Sequence, residues 1–336
     1  MREDLKNKLV SATIDITTSC NLSCKHCRLE RLTYDMCLDE IETVCKKLHE
    51  YSTRMIFVSG GEPLIRKDIV EVVRLIKKYI PIITINTNGL LLNRELLEEL
   101  IDAGVNYFQV SLDGLEEEHE KIRGEGTFKK TIENMKLICE YKDKVRLHVS
   151  SVVSKLNINK MDIFVDYLEN KMQLPIQIIG FKRYVPKNIM AGKYNLGKDG
   201  LKQMWENVQQ ITTKYRGKVE IVCDFPIKNV FNKEKAEFVM KKYNLECAGC
   251  SAATSGPAIR SDGSVSPCSL LDVSYGNLVE NSIEQIYESD IFENLIKRKL
   301  TGKCGECLYC QICGGCRAAA YLINGDYLSE DPECYI

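Results

Sequence analysis

Short, nearly continuous apolar segments alternate with longer amphipathic segments between about residues 12 and 216. The apolar segments are rich in Ile and Val and cover residues 12–17, 55–59, 82–87, 107–111, 146–153 and 176–180. Runs of this kind are typical of strands that are buried on both faces. The segments between them carry apolar residues at helical spacing and cover residues 39–51, 69–79, 95–103, 127–141, 161–169 and 201–215. The pattern therefore predicts six strand–helix units.

Repeated strand–helix units indicate a parallel sheet with right-handed crossovers. Six units are fewer than the eight that close a TIM barrel. We therefore predict an α/β fold in which residues 1–220 form a partial, open (β/α)6 TIM-like barrel. Functional groups of such barrels lie at the carboxyl ends of the strands, so candidate motifs should follow the apolar segments directly.

The pattern changes near residue 220, and residues 221–336 are predicted to form a second, small Cys-rich domain. This part of the chain is rich in Gly and Cys and has little long periodicity. Residues 260–265 predict a hairpin turn between two short strands, and residues 282–289 and 291–300 predict short helices. A domain with so little regular core would depend on metal centres for its stability.

Composition and charge exclude several classes of protein. The chain has 46 Lys and Arg against 47 Asp and Glu, a formal net charge of −1, which argues against broad binding to nucleic acid or to a membrane surface. The sequence has no apolar run of the roughly 18 residues that a membrane span needs. The charged residues 1–9 also lack the apolar segment of a secretory signal, and we expect a cytoplasmic protein.

The chain has 16 cysteines, and their spacing favours metal ligation. Ten of them follow residue 222, and several are separated by two residues. A disulfide-bonded secreted protein of this density is usually much shorter. The clusters are typical of thiolate ligation in a reducing compartment.

The first cluster, Cys20, Cys24 and Cys27, follows the first predicted strand. Three thiolates on one loop can hold three irons of a [4Fe–4S] cluster and leave the fourth iron open to another ligand. A zinc site that lacks its fourth ligand is the alternative. His26, which lies within the loop, is expected to pack against it.

This Cys-x3-Cys-x2-Cys loop resembles the signature of radical S-adenosylmethionine (SAM) enzymes. The resemblance implies that the open iron binds SAM and that its reductive cleavage gives a 5′-deoxyadenosyl radical, which removes a hydrogen atom from a substrate. It also implies an electron donor such as ferredoxin or flavodoxin.

Further motifs stand at the ends of predicted strands and resemble the SAM-binding positions of the same family. Ser59-Gly60-Gly61-Glu62-Pro63 follows the second strand and is similar to the GGEP motif that binds the methionine amino group. Its glycines would let the backbone approach a ligand closely. The resemblance further implies contacts to the SAM ribose and carboxylate from Asn88, Ser111, Asp113 and Arg123.

The C-terminal cysteines resemble those of a SPASM domain, which holds two auxiliary [4Fe–4S] clusters. By position, the outer cluster would use Cys304, Cys307, Cys313 and Cys334, and the inner one Cys250, Cys268 and Cys316. The fourth inner ligand is Cys247 or Cys310, of which Cys247 is preferred. A zinc ribbon made by the pairs Cys304/Cys307 and Cys313/Cys316 is the alternative, but it leaves Cys250, Cys268 and Cys334 unexplained. With the radical SAM cluster, three [4Fe–4S] clusters are expected.

The substrate is less constrained than the cofactors; the preferred prediction is a ribosomally made peptide, and a tetrapyrrole is the alternative. The SPASM layout favours maturation of a ribosomally made peptide, by oxidation, crosslinking or epimerisation, with a separate peptide-recognition protein or direct recognition in the barrel. The Cys313-Gly314-Gly315-Cys316 tail is most similar to haem-biosynthesis and mycofactocin-type members, which favours side-chain chemistry on a tetrapyrrole, such as oxidative decarboxylation.

Three cationic residues and one cysteine are candidates for contact with that substrate. Lys182, Arg183 and Lys187 could supply positive charge to a carboxylate. Cys223 is a candidate hydrogen-atom donor to a substrate radical, although a core role is favoured.

Overall fold

The computed structural model describes residues 9–29, 32, 34–186, 189–243 and 247–336. The charged residues 1–8 and the candidate cation Lys187 lie outside the described residues.

One nine-stranded sheet spans both parts of the chain, in the order β7-β6-β5-β4-β3-β2-β1-β8-β9. Strands β1 to β7 pair in parallel with their neighbours in sequence. The strands are β1 Ser11–Asp15, β2 Met55–Ser59, β3 Ile82–Thr87, β4 Tyr107–Ser111, β5 Arg146–Val153, β6 Ile176–Arg183, β7 Glu220–Cys223, β8 Ala258–Ile259 and β9 Val265–Ser266.

Helices separate the parallel strands and cover one face of the sheet, as the sequence predicts. Those of the barrel are α1 Leu38–Glu50, α2 Ile69–Lys77, α3 Arg94–Ala103, α4 Glu116–Arg123, α5 Thr127–Cys139, α6 Met161–Asp166 and α7 Gly197–Lys214. The later ones are α8 Lys228–Phe231, α9 Lys233–Tyr243, α10 Ile283–Tyr287, α11 Asp290–Ile296, α12 Gly302–Gly305 and α13 Arg317–Asn324. The Asn93 side chain caps α3 by accepting from the Leu96 N–H, and Gly104 ends it at φ +110°.

The six predicted strands are confirmed, and β7 adds a seventh parallel strand beside β6. The strands differ from the prediction that both of their faces are buried. In β1, Ala12 and Ile14 are buried against the helices, whereas Ser11 and Thr13 face a cavity on the other side. A row of polar side chains therefore lines the inner face of the open barrel.

The C-terminal part joins the barrel through the hairpin β8–β9. Strand β8 pairs in parallel with β1, and β9 pairs antiparallel with β8. Gly263 lies in the turn at φ +83°. A larger residue would not fit there, because its Cβ would lie 2.5 Å from the Asn277 side chain. The predicted hairpin and short helices are therefore confirmed. The predicted domain boundary between residues 220 and 221 falls within β7, which pairs with β6 of the barrel. This boundary stays a prediction.

None of the helices in the described part of the chain is long and apolar enough to cross a membrane.

Candidate iron–sulfur and cofactor sites

The cysteine loop after β1 and the glycine loop after β2 form one hydrogen-bonded unit. The Gly61 N–H donates to the Thr17 carbonyl and the Glu62 N–H to the Ser19 carbonyl, both at 2.8 Å. A Cβ on Gly60 or Gly61 would lie 2.1 Å from the carbonyl oxygen of Thr17 or Ser19, respectively. The close approach that requires these glycines is therefore made by the cysteine loop itself, and it couples the position of the two loops.

Glu62 is a buried carboxylate at the centre of the glycine loop. It accepts hydrogen bonds from the Thr87 hydroxyl (2.7 Å), the Asn88 N–H (2.7 Å) and the Leu64 N–H (3.2 Å). Burial raises the pKa of Glu62, so a cation beside it would relieve the cost of its charge. Pro63 begins the short 3-10 helix that follows. The Asn88 amide donates to the Asn21 side chain, which links the end of β3 to the cysteine loop.

Asp113 and Arg123 form a buried ion pair beside the same loop. The Arg123 Nε donates to the Asp113 carboxylate at 2.6 Å, and the Val152 N–H donates to its other oxygen at 2.8 Å. Burial alone would raise the pKa of Asp113, but the Arg123 charge lowers it below its usual value. The Arg123 guanidinium lies 4.0 Å from the Cys24 sulfur. Ser111 ends β4 and is half-buried; the SAM contacts of all three residues stay predictions.

The thiols of Cys20, Cys24 and Cys27 are free and lie close together: burial raises the pKa of Cys20 and of Cys24, and the charge of Cys27 raises both further. Burial raises the pKa of Cys24 to about 11, against the opposing charge of Arg123. A thiolate at this position needs added positive charge, which iron supplies, and three soft sulfur donors on one loop fit an iron–sulfur cluster. Across the described residues, no three Cys, His, Asp or Glu side chains form a group that could hold a single metal ion.

The C-terminal cysteines divide into two groups. Cys304, Cys307, Cys310, Cys313 and Cys334 line one apolar cavity, together with Phe225, Ile227 and Val230. Cys316 lies instead with Cys250 and Cys268: burial raises the pKa of Cys268 and of Cys316, and the charge of the nearby Cys250 raises both further. A zinc ribbon needs Cys313 and Cys316 on the same metal, so this arrangement favours two separate clusters.

The position of Cys310 bears on the missing inner ligand. Cys310 lines the outer cavity, where Cys304 and Cys307 add negative charge beside it. Cys247 is buried, and its thiol donates to the Ile296 carbonyl at 3.6 Å. Cys310 therefore belongs with the outer group, which favours Cys247 as the fourth inner ligand; that assignment stays a prediction.

A cavity of about 380 Å³ lies between the inner face of the barrel and the C-terminal part. The barrel contributes neutral polar side chains, among them Ser11, Thr13, Ser59, Asn86 and Gln109. The C-terminal part contributes segments that include Cys268 of the inner group. Among the described lining residues, Lys182 is the cation and Asp224 the anion. This cavity is the candidate substrate site.

The structure treats the other substrate candidates differently. Arg183 is 5% exposed and is paired with Asp331 and Glu333, so the interpretation that it meets the substrate is wrong. Cys223 is buried in the hydrophobic core, while its neighbours Val222 and Asp224 line the cavity. Burial raises the pKa of Cys223 to about 12. The core role is favoured, and hydrogen-atom donation by Cys223 stays an untested prediction.

Sequence reasoning missed two acidic residues beside these sites. Asp15 ends β1 on its inner face, where burial raises its pKa to about 6 despite the nearby Arg260 charge. Asp331 contacts cysteines of both C-terminal groups. Asp15 could have been noticed as an acidic residue within an apolar strand. No feature of the sequence around Asp331 distinguishes it from other acidic residues.

Two family models match separate parts of this chain. A Radical SAM superfamily model matches residues 14–168, and an iron–sulfur cluster-binding SPASM domain model matches residues 247–316. The AdoMet-dependent heme synthase of Methanosarcina barkeri is 29% identical over 95% of this chain and 94% of its own length. The probable GTP 3′,8-cyclase of Methanocaldococcus jannaschii is 30% identical over 83% of this chain and 90% of its own length.

Among solved structures, native anSMEcpe with bound AdoMet has a similar fold. Its TM-score is 0.75 at 19% identity, and the match covers 95% of this chain and 92% of that one.

Proposed function

Because the chain belongs to the radical SAM superfamily and carries a SPASM domain, we propose that it is an enzyme that cleaves SAM and removes a hydrogen atom from a substrate held in the barrel cavity. The observation that carries this proposal is the hydrogen-bonded unit of the cysteine and glycine loops at the carboxyl ends of β1 and β2. A cluster and SAM bound there would supply the 5′-deoxyadenosyl radical.

The residues of this chain have distinct parts in that proposal. Cys20, Cys24 and Cys27 would hold the cluster, and Glu62 would accept from the SAM ammonium. Arg123 holds positive charge beside Cys24 while its own charge is balanced by Asp113. The SPASM hairpin pairs with β1 and its segment lines one side of the cavity, where it would help to shield a bound substrate from water. Auxiliary clusters in the two C-terminal cysteine groups would supply an electron acceptor beside the cavity, and we propose reduced ferredoxin or flavodoxin as the external donor.

For the substrate we propose a tetrapyrrole that carries propionate side chains, with oxidative decarboxylation as the reaction. The support is the similarity to an AdoMet-dependent heme synthase along nearly the whole of both chains. Lys182 in the cavity wall would pair with a propionate. The product of each step is a vinyl group and carbon dioxide, with one hydrogen atom leaving on 5′-deoxyadenosine and one electron leaving the resulting radical, whose carboxylate is already deprotonated.

A peptide is the second candidate, and the cavity lining supports it. Hydroxyl and amide side chains such as Ser11, Thr13, Asn86 and Gln109 face the cavity. They match the donors and acceptors of a peptide backbone better than they match an array of carboxylates.

The test is turnover of iron–coproporphyrin III by the anaerobically reconstituted enzyme with SAM and a reductant. We expect 5′-deoxyadenosine formation to rise on adding the porphyrin, and the product mass to fall by carbon dioxide and two hydrogens per propionate. Lys182→Met should raise the KM for the porphyrin by roughly tenfold, the order expected for a lost charge-assisted hydrogen bond, with Lys182→Arg as the matched control. SAM cleavage without any porphyrin-dependent product would reject the tetrapyrrole and leave the peptide.

A further inference from the structure

Asp331 lies between the two groups of C-terminal cysteines. Its N–H donates to the Cys304 sulfur at 3.3 Å, and its carbonyl accepts from the Cys334 N–H at 3.1 Å. Its carboxylate accepts from the Cys316 N–H at 2.8 Å. One residue therefore touches two proposed ligands of the outer cluster and one of the inner cluster.

Arg183, the last residue of β6, binds the Asp331 carboxylate from the barrel side. The two guanidinium nitrogens donate to the two carboxylate oxygens at 2.7 and 3.0 Å. The same guanidinium donates to Glu333 at 2.5 Å, and the Asn195 amide donates to the other Glu333 oxygen. A bidentate pair of this kind fixes orientation as well as distance.

The pair is buried, so its charges act strongly on what surrounds them. The side chains of Arg183 and Asp331 are each 4% exposed, and that of Glu333 is 11% exposed. Solvent screens such charges poorly, so Arg183, Asp331 and Glu333 act on the sulfurs together with the buried Arg317 guanidinium, which donates to the Cys304 sulfur at 3.7 Å. The potential of an iron–sulfur cluster depends on local charge and on hydrogen bonds to its sulfurs.

We infer that the Arg183–Asp331 pair is a positioning element shared by both auxiliary clusters, which holds the C-terminal segment on β6 and sets the two reduction potentials together. The inference rests on the proposed auxiliary ligand groups, and it holds for either candidate substrate. Through this ion pair, strand β6, which borders the candidate substrate cavity, is connected to both proposed clusters.

Two charge-removing variants test the inference by opposite effects. Asp331→Asn removes a negative charge, so both auxiliary potentials should become more positive, because the reduced clusters carry more negative charge. Arg183→Gln removes a positive charge and should make both potentials more negative. The double variant Arg183→Gln/Asp331→Asn leaves the net charge unchanged and should return both potentials towards the wild-type values.

The measurement is a redox titration of the reconstituted full-length enzyme followed by electron paramagnetic resonance. The radical SAM cluster is identified by the change in its signal on adding SAM. Glu330→Gln is the matched control, since Glu330 is exposed and accepts from the Lys303 N–H; we expect no shift of either potential there. Iron content and circular dichroism report whether each variant folds.

Shifts of the same sign in both single variants, or no shift in an iron-loaded Asp331→Asn enzyme, would overturn the inference. If Asp331→Asn binds too little iron to titrate, Glu333→Gln provides the second measurement. It removes one charge from the same ion pair and keeps the Asp331 contacts to cysteine, so both potentials should become more positive by a smaller amount. Unchanged potentials in Glu333→Gln would then overturn the inference. A failed tetrapyrrole assay alone does not affect these results, because the titration needs no substrate.

Discussion

Replacing Asp15 with Asn should stabilise the protein, and more so at high pH. Burial raises the pKa of Asp15 from 3.8 to about 6, so the folded state binds this proton more tightly than the unfolded state does. The carboxyl group therefore destabilises the fold increasingly as the pH rises from about 4 to about 6, and the full cost is present above that range. The rise of the Asp15 pKa from 3.8 to about 6 corresponds to a full cost of about 3 kcal/mol.

We expect a measured gain of about 1–2 kcal/mol for Asp15→Asn at pH 8, because the carboxyl also borders a polar cavity that contains Arg260. At pH 5 the folded carboxyl group is still mostly protonated and avoids much of the cost of a buried charge, so the gain should be about half as large. Urea unfolding of the anaerobic protein at the two pH values measures both quantities. Asp143→Asn is the control, since Asp143 is exposed and its replacement should change stability little.

An Asp15→Asn variant that is less stable than the wild type at both pH values would refute this reasoning. That result would mean that the ionic interaction between Asp15 and Arg260 outweighs the cost of burying the carboxylate. A gain that does not depend on pH would also refute it, because the effect would then come from packing.

The loops that carry the cofactor motifs give three further predictions. Gly61→Ala places a Cβ 2.1 Å from the Ser19 carbonyl oxygen, so it should lower the stability by about 1–3 kcal/mol and weaken SAM binding in equilibrium dialysis. Gly192→Ala is the control and should change neither, because nothing lies within 4 Å of a Cβ at that position. Replacing Cys20, Cys24 and Cys27 together with Ala should abolish 5′-deoxyadenosine formation but keep the auxiliary clusters; persistent cleavage of SAM would exclude the first loop from the mechanism. Anaerobic reconstitution should give about twelve irons per chain, four for each cluster, and only four irons with bound zinc would contradict two auxiliary clusters.

The sequence predicted the barrel well because its strands are marked by hydrophobic periodicity. Each of the six predicted strands contains two or more residues that are buried against a helix layer, as Ile83 and Ile85 are in β3. Strand β7 escaped assignment to the barrel because Glu220–Cys223 is only four residues long and its pairing with β6 is a non-local contact. Periodicity reports local burial and cannot report which strand lies beside a short one.

The candidate site was predicted where function depends on spacing along the chain. The three cysteines of the first loop and Glu62 lie in short motifs, so their residue types and intervals identified them. The structural role of Arg183 could not be identified from the sequence, because its partners Asp331 and Glu333 are about 150 positions away. The contacts of Gly60 and Gly61 with the Thr17 and Ser19 carbonyls could not be predicted, because they join two loops that are far apart in sequence.

The pairing of β8 with β1 has a consequence for synthesis of the chain. Strand β1 leaves the ribosome early and gains β2 as a neighbour once residue 59 is made, but its other edge has no partner until residues 258–259 follow. An unpaired strand edge is a template for pairing with other chains. While the residues between β2 and β8 are being synthesised, the nascent barrel therefore exposes one edge of β1 that can pair with other chains. A chain truncated after residue 246 should aggregate for this reason, even though every strand from β1 to β7 is present.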